Sequence, residues 1–221
     1  MLLESQLGRI GQQPMVPPLK PVVIIISGPS GVGKDSVVAR LKELRDDLYF
    51  VVTATSRAKR PNEMEGRDYF FVTKEKFEQW IADGMLLEHA MVYGDYKGIP
   101  RQQVHEALKA GTDVVLRIDV QGAAYIKQLM PEAISIFVAA ETEACLVQRL
   151  AARKTEDLDK LAVRVATARA EVARVHEFDY VVVNGTGQLE HCVEQVAGII
   201  SAEKASVKRR FAVPQAASNS L

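Results

Sequence analysis

One segment near the start of the chain, Gly28-Pro29-Ser30-Gly31-Val32-Gly33-Lys34, has the residue types and spacing needed to hold a phosphate group. Glycines let successive backbone N–H groups turn toward one anion, and a helix N-terminus adds partial positive charge. Lys34 adds a full charge. The segment follows an unbroken apolar run and precedes residues with helical spacing, which is the context that the pattern GxxxxGK requires. It therefore predicts a phosphate-binding loop rather than a glycine-rich turn that binds nothing.

The position after the lysine departs from the usual pattern of such a loop. Ser or Thr ordinarily stands there, and its hydroxyl ligates Mg²⁺. This chain carries Asp35, with Ser36 one place later. Phosphate binding does not depend on that hydroxyl, but the arrangement of the metal is left open. Because carboxylate oxygens also suit Mg²⁺, Asp35 is a candidate metal ligand.

A second group of residues, in the middle of the chain, could bind another anion. Arg57 and Arg60 lie three positions apart and precede Tyr69, and two planar guanidinium groups can clamp a phosphate. An isolated pair of this kind is more often part of a solvated charged loop. The phosphate-binding loop and the arginine pair together do not identify the molecule that would accept a phosphoryl group.

The elements that must position these residues alternate between strands and helices. Val22–Ile26 is β-branched throughout, which is typical of a strand buried on both faces. Further strands are predicted over Val51–Thr55, Leu86–Tyr93, Val114–Asp119, Ile134–Ala139 and Tyr180–Val183. Helices are predicted over Ser36–Leu44, Lys74–Asp83, Arg101–Ala110, Gly122–Met130, Glu143–Arg153, Asp157–His176 and Leu189–Lys204. This alternation implies a parallel sheet covered on both faces.

The composition argues against several classes of protein. Lys and Arg number 28, as do Asp and Glu, so no overall field would attract nucleic acid or anionic lipid. No apolar run approaches the roughly 20 residues of a membrane helix, and residues 1–21 lack a signal-peptide pattern. Cys145 and Cys192 lack CxxC spacing, which favours reduced thiols. We therefore expect a cytoplasmic protein without a membrane or nucleic-acid partner.

Between about Val22 and Lys204 the chain resembles the guanylate kinase family. The motifs that carry the resemblance are GPSGxGK, TSRxxRxxExxGxDYxF, LEHA, xDxQG, RLxxRxTE and DYVVVN. The resemblance implies that Arg57, Arg60 and Tyr69 hold the phosphate of GMP, and that Glu88, Asp119 and Thr53 face its base. Glu63 belongs to the same acceptor segment and, like Lys97, is expected to contribute to GMP binding. Among the remaining implied site residues, Arg149, Arg153 and Arg164 bracket the transferred phosphoryl group, and Asn184 lies near the adenine of ATP.

The chemistry of guanine agrees with the implied carboxylates. Guanine presents two adjacent donors, N1–H and N2–H₂, whereas adenine presents an acceptor at N1. A buried carboxylate facing that acceptor would lose its pairing, and such a loss can be worth roughly 10⁴–10⁵ in discrimination.

Three positions depart from the family pattern. Lys97 replaces a usual Tyr near the GMP phosphate, and Ile99 replaces a usual Ser or Thr near the base. Arg117 replaces an Asp that the family carries two residues before Asp119. Because Arg117 would otherwise stand alone beside a metal site, we expect it to pair with a carboxylate, first Asp35 and second Asp119. The alternative is that Arg117 points to solvent.

The implied fold is an α/β P-loop NTPase core with a parallel sheet, an acceptor-binding insertion and a short helical lid. The core is expected over residues 21–52, 111–148 and 172–204, the GMP-binding insertion over 53–110 and the lid over 149–171. Residues 1–20 and 205–221 are expected to be flexible extensions.

The implied activity is Mg²⁺-dependent transfer of the γ-phosphoryl group of ATP to GMP or dGMP, in purine nucleotide metabolism and GMP recycling, by a monomer or small homo-oligomer. Two alternatives stay open. A guanylate-kinase-like binding module without catalysis would lack a working loop lysine and lid arginines, whereas this chain has Lys34, Arg149 and Arg153. A P-loop kinase for another small phosphate ester would not need Glu88 and Asp119, which would repel a second phosphate.

Overall fold

The computed structural model describes residues 14–92, 94–152 and 158–211, without the side chain of Lys160. Its strands are β1 (Val23–Ser27), β2 (Leu48–Phe50), β3 (Ala54–Thr55), β4 (Phe70–Phe71), β5 (Leu86–Val92), β6 (Asp95–Pro100), β7 (Asp113–Arg117), β8 (Ile134–Ala139) and β9 (Tyr180–Val183). Five of them form a parallel sheet in the order β2-β7-β1-β8-β9. The predicted parallel sheet is confirmed, with the phosphate-loop strand β1 at its centre.

Helices follow most of these strands. They are α1 (Lys34–Leu44), α2 (Lys74–Ala82), α3 (Arg101–Lys109), α4 (Val120–Leu129), α5 (Glu143–Ala151), α6 (Leu158–Ala173), α7 (Leu189–Ala205) and α8 (Val207–Arg210). The side chains of Thr73 and Thr142 accept hydrogen bonds from the backbone N–H groups of Lys76 and Cys145, and so cap α2 and α5. These caps satisfy backbone donors that have no partner within the helix.

The central strand is buried on both faces because helices cover both sides of the parallel sheet. Ile24 and Ile26 pack into one apolar cluster with residues of α1, α5 and α7. Val23 and Ile25 point the other way, into a second cluster with residues of α3 and α4. Burial of each such side chain contributes roughly 1.5–3 kcal/mol. The loop that follows β1 is therefore held at a fixed end of a rigid sheet.

A second sheet lies between β2 and α3 along the chain, in the order β4-β3-β6-β5. It is mixed, since β3 runs parallel to β4, while β6 runs antiparallel to both β3 and β5. It packs around its own small cluster, in which Phe77 and Ala54 are fully buried. One predicted strand is wrong here. Only Ala54–Thr55 of the predicted Val51–Thr55 is a strand, because the chain leaves the parallel sheet after Phe50 and enters the second sheet at Ala54.

Several helix ends differ from the predicted ones. The predicted helix Asp157–His176 is regular only over Leu158–Ala173 and is followed by a 3₁₀ turn, Val175–Glu177; Asp157 lies outside the described residues. α4 begins at Val120 rather than Gly122, because the Asp119 carboxylate caps it by accepting from the Gly122 N–H at 2.9 Å.

Part of the expected C-terminal flexible extension is helical. Residues Val207–Arg210 form α8, where Arg209 forms an ion pair with Glu203 and donates to the Glu132 carbonyl. These contacts tie the segment to the core. Within the described ranges, no helix is long and apolar enough to cross a membrane.

Candidate active site

The phosphate loop joins the end of β1 to the start of α1, as the sequence predicted. Gly28 and Gly33 have positive φ values of 134° and 96°, a conformation that other residues rarely adopt. Neighbouring atoms also exclude a side chain, since a Cβ on Gly28 would lie 2.2 Å from the Val138 carbonyl oxygen. The glycines therefore allow the backbone to wind closely against β8 and expose N–H groups at the helix N-terminus.

Lys34 is folded against its own loop. Its Nζ donates to the carbonyl oxygens of Gly28, at 2.5 Å, and Pro29, at 3.0 Å. Burial lowers the pKa of Lys34 to about 8, and the nearby Glu171 and Asp35 carboxylates offset part of that change. Lys34 stays mostly protonated at neutral pH and can turn toward phosphate oxygens that supply a stronger negative charge.

Two predicted site residues, Asn184 from the ATP site and the lid residue Arg149, stabilise the backbone of the phosphate loop. The buried Asn184 amide donates to the Val32 carbonyl at 2.9 Å, and Arg149 donates to the Asn184 and Val32 carbonyls at 2.9 and 3.3 Å. Neither side chain lines the cavity described below. The sequence interpretation placed Asn184 beside adenine and Arg149 beside the phosphoryl group. In this structure both stabilise the backbone of the loop, because its carbonyl groups need donors that the helix does not supply.

Two residues of α6 contact the open side of the loop. Arg164, only 8% exposed, donates to the Ser30 hydroxyl at 3.2 Å. Glu171 accepts from the Ser30 N–H at 3.2 Å, so a carboxylate lies where an anion is expected. Burial raises the pKa of Glu171, while Lys34 acts in the opposite direction. Sequence reasoning missed Glu171, since no local spacing marks a helical glutamate that approaches a loop 141 positions away.

One cavity of about 1180 Å³ joins the phosphate loop to the second sheet. Its walls carry predicted residues from both halves of the proposed site: Ser30, Gly31, Gly33, Lys34, Asp35, Ser36, Thr53, Arg57, Arg60, Tyr69, Glu88, Lys97, Asp119 and Arg164. The structure thus brings the two groups of residues together. Gly28, Pro29, Val32 and Glu63 support this wall without lining the cavity.

The acceptor end of the cavity contains the predicted arginine clamp. The Arg57 guanidinium lies 5.3 Å from the centre of the Tyr69 ring and forms two hydrogen bonds with the Glu63 carboxylate, at 2.7 and 2.9 Å. Glu63 also accepts from the Arg60 N–H at 2.8 Å. The hydrogen bonds from Arg57 hold the pKa of Glu63 below its usual value. Glu63 therefore orients Arg57, which is a different role from the one implied for it in GMP binding.

The opposite wall of the cavity carries groups suited to a base. Glu88 is 7% exposed, and its carboxylate packs against Gly122, where a Cβ would lie 2.8 Å from Oε1. Burial raises the pKa of Glu88 to about 8, with a further contribution from Asp119. The Thr53 hydroxyl is buried without a hydrogen-bond partner among the described residues. A buried hydroxyl without a partner and a desolvated carboxyl group, both in the lining of one cavity, are costly for the protein alone, which favours a ligand with its own polar groups here.

Lys97 also lines the cavity, near charged groups of both the phosphate loop and the arginine clamp. Burial lowers its pKa, and the neighbouring Arg117 lowers it further, whereas Asp119 and Asp35 raise it. Ile99, the other departure in this segment, is fully buried in the apolar cluster that includes β1. It does not line the cavity.

The predicted pairing of Arg117 is confirmed. Its Nη1 lies 2.7 Å from Oδ1 of Asp35, which joins the end of β7 to the start of α1. The same guanidinium lies 4.8 Å from the centre of the Tyr69 ring. Asp119, the second expected partner, instead caps α4 through Oδ1. Arg153, the remaining predicted site residue, lies outside the described residues.

The donor atoms at the mouth of the phosphate loop fit Mg²⁺ bound together with a nucleotide. No group of three or more His, Cys, Asp and Glu side chains could hold a metal ion within the part of the chain that the structure describes. Mg²⁺ in kinases needs no such group, because one or two carboxylates act together with substrate phosphates. Asp35 and the Ser36 hydroxyl both line the cavity beside Lys34 and supply hard oxygen atoms.

A phosphate loop that shares one cavity with a pair of arginines is typical of P-loop phosphotransferases. Comparisons with known proteins narrow this class. A sequence model described as guanylate kinase matches residues 20–203. The chain belongs to the guanylate kinase family.

Individual relatives agree with this assignment. A rice protein named "Guanylate kinase 2, chloroplastic/mitochondrial" is 57% identical over 210 residues, covering 94% of this chain and 74% of its own. The guanylate kinase of Mycobacterium sp. (strain MCS) is 46% identical over 180 residues, covering 80% and 90%. The crystal structure of guanylate kinase from Anaplasma phagocytophilum is 28% identical, with a TM-score of 0.73 over 90% of this chain and 94% of that one. The resemblance and the P-loop α/β fold inferred from the sequence are both confirmed.

Proposed function

We propose that this member of the guanylate kinase family binds GMP with its base against Glu88 and Thr53 and its phosphate against Arg57, Arg60 and Tyr69. The reaction is that of the family: the γ-phosphoryl group of ATP is transferred to GMP, giving ADP and GDP. The observation that carries the site assignment is the single cavity shared by the phosphate loop and the buried Glu88 carboxyl group.

The wall around Glu88 suits guanine better than adenine. Ionised Glu88 can accept from N1–H and N2–H₂, and the Thr53 hydroxyl gains a partner that the described residues do not supply. Adenine would place a lone pair against the carboxylate and leave a desolvated charge unpaired. The same wall disfavours a ribose phosphate, since a second phosphate there would be repelled by Glu88 and Asp119.

The clamp around Tyr69 suits the phosphate of GMP. Arg57 is already oriented by Glu63 and by the Tyr69 ring, so little side-chain entropy is lost when it binds an anion. Arg60 adds a guanidinium on the same wall, and Lys97 supplies a positive charge between this clamp and the phosphate loop. A dianionic phosphate bound there directs one of its oxygens toward the loop.

At the donor end, the loop N–H groups and Lys34 bind the β- and γ-phosphates of ATP, displacing the Glu171 carboxylate from Ser30. One oxygen of the GMP phosphate attacks the γ-phosphorus, the bond from that phosphorus to the β–γ bridging oxygen breaks, and ADP leaves with the electron pair. The attacking oxygen is already anionic, so no protein base is required. Lys34 and Arg164 offset the charge that develops on the transferred group, and Arg153 is proposed to assist from the lid on the strength of the resemblance.

Guanylate kinases use ATP and normally need Mg²⁺. We propose that Asp35 and the neighbouring Ser36 are the protein groups that would contact Mg²⁺, and the bound ion would neutralise charge on the β- and γ-phosphates.

We also propose a division of the chain into the core, the acceptor insertion over 53–110 and the lid over 149–171. The lid would close and exclude water from the γ-phosphate. A monomer or small homo-oligomer in a reducing, cytoplasmic compartment remains our prediction.

An acceptor panel tests the proposal directly. Purified protein with ATP and Mg²⁺ is given GMP, dGMP, AMP or a ribose phosphate, and formation of ADP is followed by a coupled assay. We expect turnover with GMP and dGMP and little with the others. Arg45→Gln is a suitable control, since Arg45 pairs with Asp47 outside the cavity. Absence of turnover with every acceptor would favour a guanylate-kinase-like binding module without catalysis. Preference for a ribose phosphate would favour a P-loop kinase for another small phosphate ester.

A further inference from the structure

We infer that Arg117 is a further phosphate ligand of the acceptor subsite, beside Arg57, Arg60 and Tyr69, and that Asp35 holds it in position while that subsite is empty. The inference rests on the proposed function, because it assigns this residue to the phosphate of the nucleoside monophosphate. Neither the phosphate-loop pattern nor the family resemblance gives position 117 this role.

The first argument is location. Arg117 is the last residue of β7, and its side chain is 19% exposed on the cavity wall. Its guanidinium lies 4.8 Å from the centre of the Tyr69 ring, and that of Arg57 lies 5.3 Å from the same centre. Both guanidinium groups therefore lie against the same aromatic ring, and all three side chains line the cavity. Such a pair can bind different oxygens of one phosphate, because each presents a planar set of donors.

The second argument is charge. Arg117 lies close enough to the half-buried Lys97 to lower the pKa of that lysine. Like charges brought together in a partly desolvated wall are unfavourable unless an anion joins them. A dianionic phosphate between Arg57, Lys97 and Arg117 would remove this repulsion. A neutral ligand, or one with its phosphate elsewhere, would leave it in place.

The third argument is that the ion pair between Arg117 and Asp35 costs little to break. The Asp35 side chain is 70% exposed, whereas Glu63, the partner of Arg57, is 17% exposed. A carboxylate that is mostly in water regains its hydration when the guanidinium leaves, so an exposed pair is cheap to break. Arg117 can therefore transfer from Asp35 to a phosphate with a smaller penalty than Arg57 incurs on leaving Glu63. Asp35 keeps the guanidinium extended over Tyr69 until the phosphate arrives.

Calorimetric titration of GMP and guanosine, without ATP or Mg²⁺, tests the inference. Arg117→Gln should weaken GMP binding on the order of 10- to 100-fold, as expected for loss of a charge-assisted contact, and leave guanosine binding unchanged. Arg117→Lys should lie between the wild type and Arg117→Gln, because it keeps the charge without the planar donors. Arg45→Gln is the matched control, since Arg45 is 21% exposed and also pairs with an aspartate. It should not alter either affinity.

Asp35→Asn separates a phosphate ligand from a structural ion pair. Removing the carboxylate should leave GMP binding unchanged or tighten it. Equal losses of GMP binding in Asp35→Asn and Arg117→Gln would overturn the inference. So would an Arg117→Gln variant that loses affinity for GMP and guanosine equally, or one that binds ADP more weakly and GMP as well as the wild type does. Thermal unfolding of the ligand-free variants checks the fold, and Arg117→Lys carries the test if Arg117→Gln is unfolded. If wild-type protein binds GMP no better than AMP, the proposed function fails; if it binds GMP well and Arg117→Gln does too, only this inference fails.

Discussion

Changing Glu88 to Gln should abolish a pH dependence of guanosine binding that the wild-type protein shows. The wild-type carboxyl group is 7% exposed, and its pKa is raised to about 8 by burial and by Asp119. Guanine donors require the ionised form. Binding should therefore strengthen as pH rises toward 8 and release a proton, because the guanine N–H groups stabilise the charged carboxylate.

The size of the effect follows from the ionised fraction. With a pKa of about 8, roughly 3% of Glu88 is ionised at pH 6.5 and roughly 75% at pH 8.5, so affinity should rise about 25-fold across this range. Near pH 7 each guanosine bound should release about 0.9 proton. Guanosine is preferred to GMP here, since a phosphate monoester has a pKa near 6 and would add its own titration.

Calorimetry in two buffers with different ionisation enthalpies measures both the affinity and the number of protons released. Because the substituted amide cannot ionise, the Glu88→Gln variant should bind guanosine weakly at every pH and release no proton. A wild-type affinity that stays flat between pH 6.5 and 8.5 would refute the reasoning. So would a pH dependence that survives unchanged in the variant.

The same raised pKa predicts an effect on stability with a defined sign. Between an unfolded pKa of about 4.5 and a folded pKa of about 8, the native state holds the proton more tightly, so the free energy of unfolding falls as pH rises. At about 1.4 kcal/mol per pH unit, ionised Glu88 costs the ligand-free protein at most about 5 kcal/mol. Denaturant unfolding should show Glu88→Gln to be more stable than wild type at pH 8.5, with that advantage reduced at pH 5. An advantage of equal size at both pH values would show that ionisation is not its cause.

Three further predictions concern the rest of the site. Lys34→Ala and Arg57→Ala should each lower kcat/KM on the order of 10³-fold while the protein stays folded, because the first variant uses ATP poorly and the second binds GMP poorly. Steady-state kinetics measures this loss and circular dichroism checks the fold. Near-normal turnover of either variant would remove that residue from the site. Hydrogen exchange in residues 53–70 and 149–171 should slow when a bisubstrate inhibitor binds, since both segments carry many charges and few apolar anchors compared with the buried strands. Unchanged protection in both segments would contradict closure. Asp35→Ser and Arg117→Asp should be coupled in Mg²⁺-dependent kcat/KM, with the double variant better than the sum of the single ones; additive effects would count against a functional link between these two side chains.

The parallel core and its loop could be predicted from the sequence because their signals are local. The β-branched run before Gly28 and the glycine spacing up to Lys34 specify a buried strand and an anion-binding turn within a few residues. The Arg117–Asp35 pair was predicted from a different signal. An acidic and a basic residue each stood where the resemblance led us to expect a different chemical type, which suggested that the two had changed together.

The remaining features depend on contacts between distant parts of the chain. Nothing local shows that residues 51–53 lie outside both sheets, because Val51 and Val52 are strand-forming residues and the change of sheet is a tertiary event. The resemblance places Asn184 near adenine and Arg149 beside the transferred phosphoryl group, but it does not show that each donates to the Val32 carbonyl, more than 100 positions away. Glu63 and Asp119 have short-range roles, in orienting Arg57 and in capping α4. A family motif gives their positions without giving these partners.

The ratio of kcat/KM for GMP to that for AMP, measured for the wild-type protein and for Glu88→Gln, tests the central claim most directly. The claim is that the buried wall around Glu88 reads guanine in the same cavity in which the phosphate loop holds ATP. We predict a wild-type ratio of roughly 10⁴ or more, with a large fall in the variant, because a buried acceptor rejects a base that cannot donate to it. A wild-type ratio near one, or a high ratio that Glu88→Gln leaves intact, would contradict the claim.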